Sequence, residues 1–263
     1  MTEMTTYAPG IPNWVDLGAP DLDKAIGFYS GLFGWDVPEQ ENSAEYGGYR
    51  RAELGGKAVA GMMPLMQEGQ PPAWSTYVSV EDADATAAKV RDAGGSVVAE
   101  PMDVADLGRM AVFTDPEGVF FGIWQAGSFP GAERVNDPNT FSWNELNTRD
   151  PEAAKEFYGA VFGWSANEID MGESGTYVTW RHPDRSDDED SVGGMLDIRG
   201  RAPDEVPPHW LVYFTVDDRD ATREKARATG GTEILSMEME MGRFAILQDP
   251  FGAVFGIFES TQS

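Results

Sequence analysis

The chain has 263 residues and carries 19 Lys plus Arg against 45 Asp plus Glu, a formal net charge of −26, with 41% hydrophobic and 24% charged residues and no Cys. That balance describes a globular chain with material for a sizeable core. No run approaches the ~18–20 consecutive apolar residues of a membrane span; the acidity opposes nucleic acid and anionic lipid surfaces; and the missing Cys removes disulfides, thiolate metal sites and thiol nucleophiles.

In chain order, the first twelve residues show no basic patch followed by an apolar run, so no secretory signal is expected and the expected location is cytoplasmic. Residues 13–19 read as a short apolar strand. Asp21 then suits a helix N-cap, and Leu22, Ala25, Ile26, Tyr29, Leu32 and Phe33 fall at helical spacing until Gly34 stops them. Strands follow at 49–54 and 58–64. A second cycle begins with a strand at 74–80 and a helix at 82–93 ended by Gly94 and Gly95. Strands at 96–102, 109–114 and 119–125 complete it.

The same rhythm returns. Trp14-Val-Asp-Leu reappears as Trp143-Asn-Glu-Leu, 129 residues further on. Phe28-Tyr29 matches Phe157-Tyr158, and Phe33-Gly34-Trp35 matches Phe162-Gly163-Trp164. Trp74 matches Trp210, Gly108-Arg109 matches Gly242-Arg243, and Asp115-Pro116-x-Gly118 matches Asp249-Pro250-x-Gly252, the offset drifting as far as 136. Asp150 again precedes a helix, here with Pro151 at its first position, where the missing N–H costs nothing. The polar acidic run 182–190 reads as an exposed insertion that carries His182 on the surface. The repeat predicts two homologous domains, 8–127 and 139–260, joined by a linker at 128–138. Each consists of two βαβββ units.

These motifs resemble the vicinal oxygen chelate superfamily, the group of glyoxalase I, bleomycin-resistance proteins and extradiol dioxygenases. The resemblance rests on Asp21-Leu22-Asp23-Lys24-Ala25, Phe28-Tyr29, Leu32-Phe33-Gly34-Trp35 and Asp115-Pro116-Glu117-Gly118 with their second copies, and spans nearly the whole chain. The Trp-rich starts look like a tandem-domain, glyoxalase-like branch common in actinobacteria. The resemblance implies an α+β fold in which each domain is a half-open eight-stranded barrel whose concave face forms a pocket. In metal-dependent members, His, Gln or Glu enter that pocket from the first, fifth and last strands.

Carried onto this sequence, those ligand positions fall at Trp14, Ser75 and Gly122 in the first copy, and at Trp143, Leu211 and Gly256 in the second. An indole N–H does not ligate and Gly has no donor, so the expectation is no metal and no cofactor. Side chains two apart on a strand share a face, which puts Asp16 beside Trp14 and Glu145 beside Trp143 in each pocket. The two carboxyls are the candidate catalytic groups, provided that partial burial raises their pKa. Alternatively, they bond to a neighbouring strand or to Arg109 and Arg243. Candidate ligand-binding residues are Trp14, Trp143, Trp74, Trp210, Arg109, Arg243 and His209, the arginines read also as structural ion pairs and His209 as a strand-end residue bonded to backbone. Met237, Met239 and Met241, alternating with Glu238 and Glu240, read as a strand with one apolar face.

Four functions remain open on the sequence. One is a metal-independent pocket that holds a small hydrophobic or aromatic metabolite. A second is an isomerase- or lyase-type enzyme moving a proton through Asp16 or Glu145. A third is a glyoxalase-type detoxification lyase, and a fourth an interaction role in which one pocket is vestigial. The expected partners are a small-molecule ligand, no nucleic acid and no membrane, in a monomer or homodimer.

Overall fold

A computed structural model of the chain describes residues 2–39, 43–67, 69–172, 175–184, 191–239 and 241–261. The helices form where the capping pattern placed them. α1 (Leu22–Phe33), α2 (Ala83–Asp92), α3 (Pro151–Phe162) and α4 (Arg219–Ala228) each begin at an Asp whose carboxylate accepts the N–H three residues on: Asp21, Asp82, Asp150 and Asp218. Gly34 and Gly163 close α1 and α3 in the left-handed conformation, at φ 73° and 72°.

The strands make two main sheets and one small pairing. β2 (Pro12–Ala19), β3 (Arg50–Leu54), β4 (Lys57–Pro64), β5 (Ala73–Ser79), β6 (Ser96–Val104), β7 (Gly108–Thr114) and β8 (Phe120–Ala126) form a seven-stranded sheet in the order β3-β4-β2-β5-β8-β7-β6. β10 (Phe141–Thr148), β11 (Ser165–Asp170), β12 (Thr176–Arg181), β13 (Ser191–Asp197), β14 (His209–Thr215), β15 (Thr232–Met239), β16 (Gly242–Gln248) and β17 (Val254–Ser260) form an eight-stranded sheet in the order β11-β12-β13-β10-β14-β17-β16-β15. Two short strands, β1 (Thr2–Glu3) and β9 (Arg134–Val135), pair with each other beside them. In both large sheets the two halves meet along their first strands, β2 against β5 and β10 against β14, antiparallel.

The α+β class is as the sequence indicated, and neither sheet closes into a barrel. The first sheet has seven strands rather than eight. Among the described residues, the segment after α1, which in the second copy becomes β11, makes a single bridge, between Asp36 and Glu53. Pro38 follows at once, has no N–H and cannot extend a ladder.

The two sheets pack back to back with the helices between and beside them. Trp74 of β5 meets Phe214 of β14 with ring centroids 5.0 Å apart, and α1 sends Phe28 and Phe33 against Phe255 of β17. The α3 side mirrors this, with Phe157 and Tyr158 against Phe121 of β8. α1 and α3 therefore each reach the sheet of the other copy, while α2 and α4 pack on the sheets of their own. The two copies share their interior as two hydrophobic clusters, each built from residues of both, with Thr76 Oγ1 donating to Asn144 Oδ1 at 2.8 Å between the sheets. The faces turned away from this interior are called the cups below: cup 1 on the first sheet, cup 2 on the second.

Candidate active site

Strand alternation decides which side chains reach a cup. On β2, Val15 and Leu17 enter the shared core, so Trp14 and Asp16 face outward. Ladder register then brings Ser75 opposite Asp16, Tyr77 opposite Trp14 and Gly122 beside Tyr77. Tyr49 reaches in from the edge of β3. Trp14 Nε1 donates to Tyr49 Oη at 2.6 Å, and Tyr49 Oη donates to Asp16 Oδ2 at 3.4 Å. Tyr77 and Ser75 also stand near enough to the Asp16 carboxyl for their hydroxyls to lower its pKa. Asp16 is only 4% exposed. Burial pushes its pKa up to about 6, against the smaller downward pull of the three hydroxyls.

Cup 2 repeats the arrangement with a longer acid. Trp143 Nε1 donates to Tyr177 Oη at 3.0 Å, Tyr177 Oη donates to Glu145 Oε2 at 2.8 Å, and Tyr213 Oη donates to Glu145 Oε1 at 3.3 Å. Asn147 Nδ2 adds a contact to Oε1 at 3.5 Å. Burial raises the Glu145 pKa above the usual range, while Tyr177, Tyr213 and Asn147 oppose the rise. The tyrosines shift in the same direction. Burial, followed by the nearby carboxylate, drives Tyr49, Tyr77, Tyr177 and Tyr213 well above their ordinary value, so their hydroxyls stay protonated and donate. Each cup thus holds a carboxyl clasped by two phenols, with an indole bonded to one of them.

Small residues make room for the phenols. A Cβ on Gly122 would overlap the Tyr77 ring and one on Gly256 the Tyr213 ring, while Gly61 and Gly194 lie against the hydroxyl ends of Tyr49 and Tyr177. The last-strand position that carries an acid in metal-dependent relatives is therefore not just empty of a donor. Its space belongs to a tyrosine.

Most of the remaining sequence candidates lie elsewhere. Trp74 and Trp210 sit on the opposite strand face, inside the shared core, because Ser75 and Leu211 take the cup-facing parity. Their indoles donate at 3.0 Å to Tyr29 Oη and Tyr158 Oη, which bond in turn to Asp249 Oδ2 and Asp115 Oδ2 at 3.1 Å. Arg109 and Arg243 also point away from the cups. Arg109 pairs with Asp84 and Asp103; Arg243 pairs with Asp220, Glu238 and Glu259. Neither pairs with Asp16 or Glu145. His209 shares the parity of Tyr213 at the start of β14. Its Nδ1 lies 2.9 Å from Pro207 O, and burial lowers its pKa, favouring the neutral ring.

His182 is buried rather than on the surface. β12 leads it beneath the N-terminal segment, where Nε2 meets Pro9 O at 2.6 Å and Nδ1 accepts from Asp184 N at 3.1 Å. The rest of that acidic insertion, residues 185–190, and Glu240 of the Met-Glu alternation lie outside the described residues. Met237 and Met241 are exposed and do not form a buried face.

The four tyrosines are the functional candidates that strand-by-strand reading did not assemble. Tyr49 and Tyr177, like Tyr77 and Tyr213, occupy matching places in the two copies, each opposite a matching pair of glycines.

Two family models match the chain. The Glyoxalase/Bleomycin resistance protein/Dioxygenase superfamily covers residues 11–123, and a Glyoxalase-like domain covers residues 143–258. The chain belongs to this superfamily. It is similar over its whole length to Putative glyoxylase CFP32 of Mycobacterium tuberculosis, 40% identical over 264 residues and 98% of each chain. It is also similar to the anthracycline biosynthesis protein DnrV of Streptomyces peucetius, 39% identical over 274 residues, 97% of this chain and 95% of that protein. Among solved structures, the fold is shared with the Mn(II)-bound glyoxalase from Novosphingobium aromaticivorans. The TM-score is 0.65 at 17% identity, covering 96% of this chain and 83% of that one.

The glyoxalase superfamily's metal site does not fit these residues. Among the described residues no three His, Cys, Asp or Glu come together as a ligand set. Each cup offers one carboxyl, already held by two phenols. No helix among the described residues is long and apolar enough to cross a membrane.

Proposed function

We propose that this chain is a metal-independent member of the superfamily that holds a small hydrophobic or aromatic metabolite in a cup and exchanges a proton with it through Asp16 or Glu145. The observation that carries this reading is the twofold occurrence of a buried carboxyl between two tyrosine hydroxyls, beside an indole. A carboxyl whose pKa is raised by burial is suited to general acid–base work. The carboxylate takes a proton from a carbon next to a carbonyl, or from a phenol. One tyrosine hydroxyl, no longer needed by the neutral acid, turns to the ligand oxygen on which negative charge develops. Returning the proton to another position completes an isomerisation without redox change. The indole supplies a flat apolar wall. The biosynthetic role in the names of the Streptomyces relatives supports a polycyclic aromatic ligand with phenol and ketone groups. The name of CFP32 favours a glyoxalase-type lyase instead, a reaction that in this superfamily leans on ligands these cups lack.

The test is deuterium exchange at the α-carbon of an aryl ketone such as 2-tetralone, followed by NMR in D2O. Exchange above the buffer rate is expected, unaffected by chelator. It should fall roughly 10²-fold or more when Asp16→Asn and Glu145→Gln are combined. Equal exchange in that double variant would dismiss proton transfer. Chelator-sensitive turnover of a hemithioacetal would favour the lyase.

A further inference from the structure

The two cups are alike in chemistry and unlike in access. In cup 1 the connection after β8 crosses the mouth and puts Phe129 on the site. Its ring meets Trp14 edge-on at 5.0 Å and Trp124 at 6.1 Å, with the Arg51 guanidinium 5.5 Å from its centroid. This is how an aromatic guest sits in an aromatic and cationic cage. The connection is tied on both sides of that ring. Phe129 O accepts from Trp124 Nε1 at 2.8 Å and Phe129 N donates to Leu107 O at 3.1 Å. Beyond it, Pro130 O accepts from Asn13 Nδ2 at 2.9 Å and Ala132 N donates to Asn13 O at 2.8 Å. Trp14 is consequently only 6% exposed.

Cup 2 lacks such a guest. Trp143 is half-buried, and among the described residues no aromatic ring packs on it. Ladder register places Phe258 where cup 1 has Trp124, and Phe244 where it has Met110; these two rings stack at 4.8 Å. Thr179 stands in the place of Arg51. Trp143 and the Phe244–Phe258 stack offer flat apolar faces, and among the described residues no further ring is packed on Trp143.

We propose that Phe129 is a built-in substitute for the ligand in cup 1, so that cup 2 alone receives it: an uncharged planar aromatic compound. Its ring lies between Trp143 and the Phe244–Phe258 stack, and its hydroxyl or carbonyl reaches Glu145 and Tyr177. This rests on the functional reading above and assigns it to one of the two sites. Asp16 keeps the copy's chemistry without access to a ligand.

The experiment uses the full chain and 1,8-dihydroxyanthraquinone as probe, with stoichiometry from calorimetry. One site per chain is expected in the wild type. None is expected in Trp143→Ala, and two in Phe129→Ala. Trp143→Phe and Phe129→Leu, with circular dichroism, guard against loss of fold. A second readout needs no ligand: ¹⁹F NMR of 5-fluorotryptophan-labelled protein with a soluble paramagnetic chelate. It should show Trp143 attacked by solvent before Trp14, and Trp14 joining it in Phe129→Ala. Two sites in the wild type, a site that survives Trp143→Ala, binding only in Phe129→Ala, or equal access to both indoles would overturn the assignment to cup 2. Unequal indoles with no binding in any form would instead fail the functional reading on which it rests.

Discussion

Gly256 lies directly beneath the ring of Tyr213. The two are ladder partners on parallel strands, and a Cβ on Gly256 would occupy the space of the ring's Cδ1 edge. The same pairing joins Gly122 to Tyr77 in the first sheet. The glycine lets the tyrosine lie flat across its strand, and only so does the hydroxyl reach the buried acid. Gly256→Ala and Gly122→Ala should each destabilise the protein by about 1–3 kcal/mol through overpacking. Pairing Gly256→Ala with Tyr213→Leu should restore part of the loss by vacating the space. Urea denaturation of the single and paired variants measures both, and a neutral Gly256→Ala would contradict the packing.

The buried acid of cup 1 ties stability to pH. Its folded pKa of about 6 exceeds the ordinary 3.8. The native state therefore holds this proton over a range in which the unfolded chain releases it. The contribution of Asp16 is fully present below about pH 4 and is lost as pH rises through about 6, a difference on the order of 3 kcal/mol by neutrality. Asp16→Asn carries no charge at any pH. Its stability relative to the wild type should climb between about pH 4 and 7 and then level off. Unfolding free energies at several pH values test this; a constant difference would show that the carboxyl stays ionised.

Much of this arrangement was legible in the sequence. The repeat located both sheets and all four helices, and period two alone put Trp14 with Asp16 and Trp143 with Glu145. The same rule, applied to β5, already separates Trp74 from Ser75, so the two strand-five tryptophans belong to the core. Which tyrosines clasp each carboxyl was not legible. Tyr49 and Tyr77 arrive from strands whose register against β2 is set by tertiary packing rather than by spacing. Nor does the sequence of the 127–131 connection say that Phe129 folds back onto Trp14, since that depends on a hydrogen bond from Trp124 and on Asn13 two strands away.

The shared core makes its own prediction. Tyr29 bridges Trp74 and Asp249, and Tyr158 bridges Trp210 and Asp115, each linking a helix of one copy to the Asp-Pro-x-Gly turn of the other. In the second turn Asp249 Oδ1 also accepts three backbone N–H groups, from Phe251, Gly252 and Ala253. Tyr29→Phe leaves a buried indole N–H and a carboxylate oxygen without their partner and should cost about 1–3 kcal/mol. Tyr158→Phe should cost a similar amount. As the two triads share no residue, the double variant should be additive within about 0.5 kcal/mol. Thermal and chemical denaturation of the three variants decides it, and strong non-additivity would mean that the triads are coupled through the interior.

The phenols also tune the proton of Glu145, in a direction that can be measured. Tyr177 is the largest of the hydrogen-bonding influences that lower the Glu145 pKa against the rise caused by burial. Tyr177→Phe removes that pull, so the carboxyl should hold its proton to higher pH. In the exchange assay the acidic limb of the pH–rate profile should then move upward, with the plateau rate reduced because the hydroxyl no longer reaches the ligand oxygen. Trp143→Phe, which strips Tyr177 of its indole donor, should shift the limb less. Arg243→Met is the contrasting case. Arg243 faces away from the cup and pairs with Asp220, Glu238 and Glu259, so its loss should lower the melting temperature slightly and leave the limb in place. A limb that moves with Arg243 and not with Tyr177 would mean that the field of the surface ion pairs, and not the two phenols, sets the acidity of Glu145.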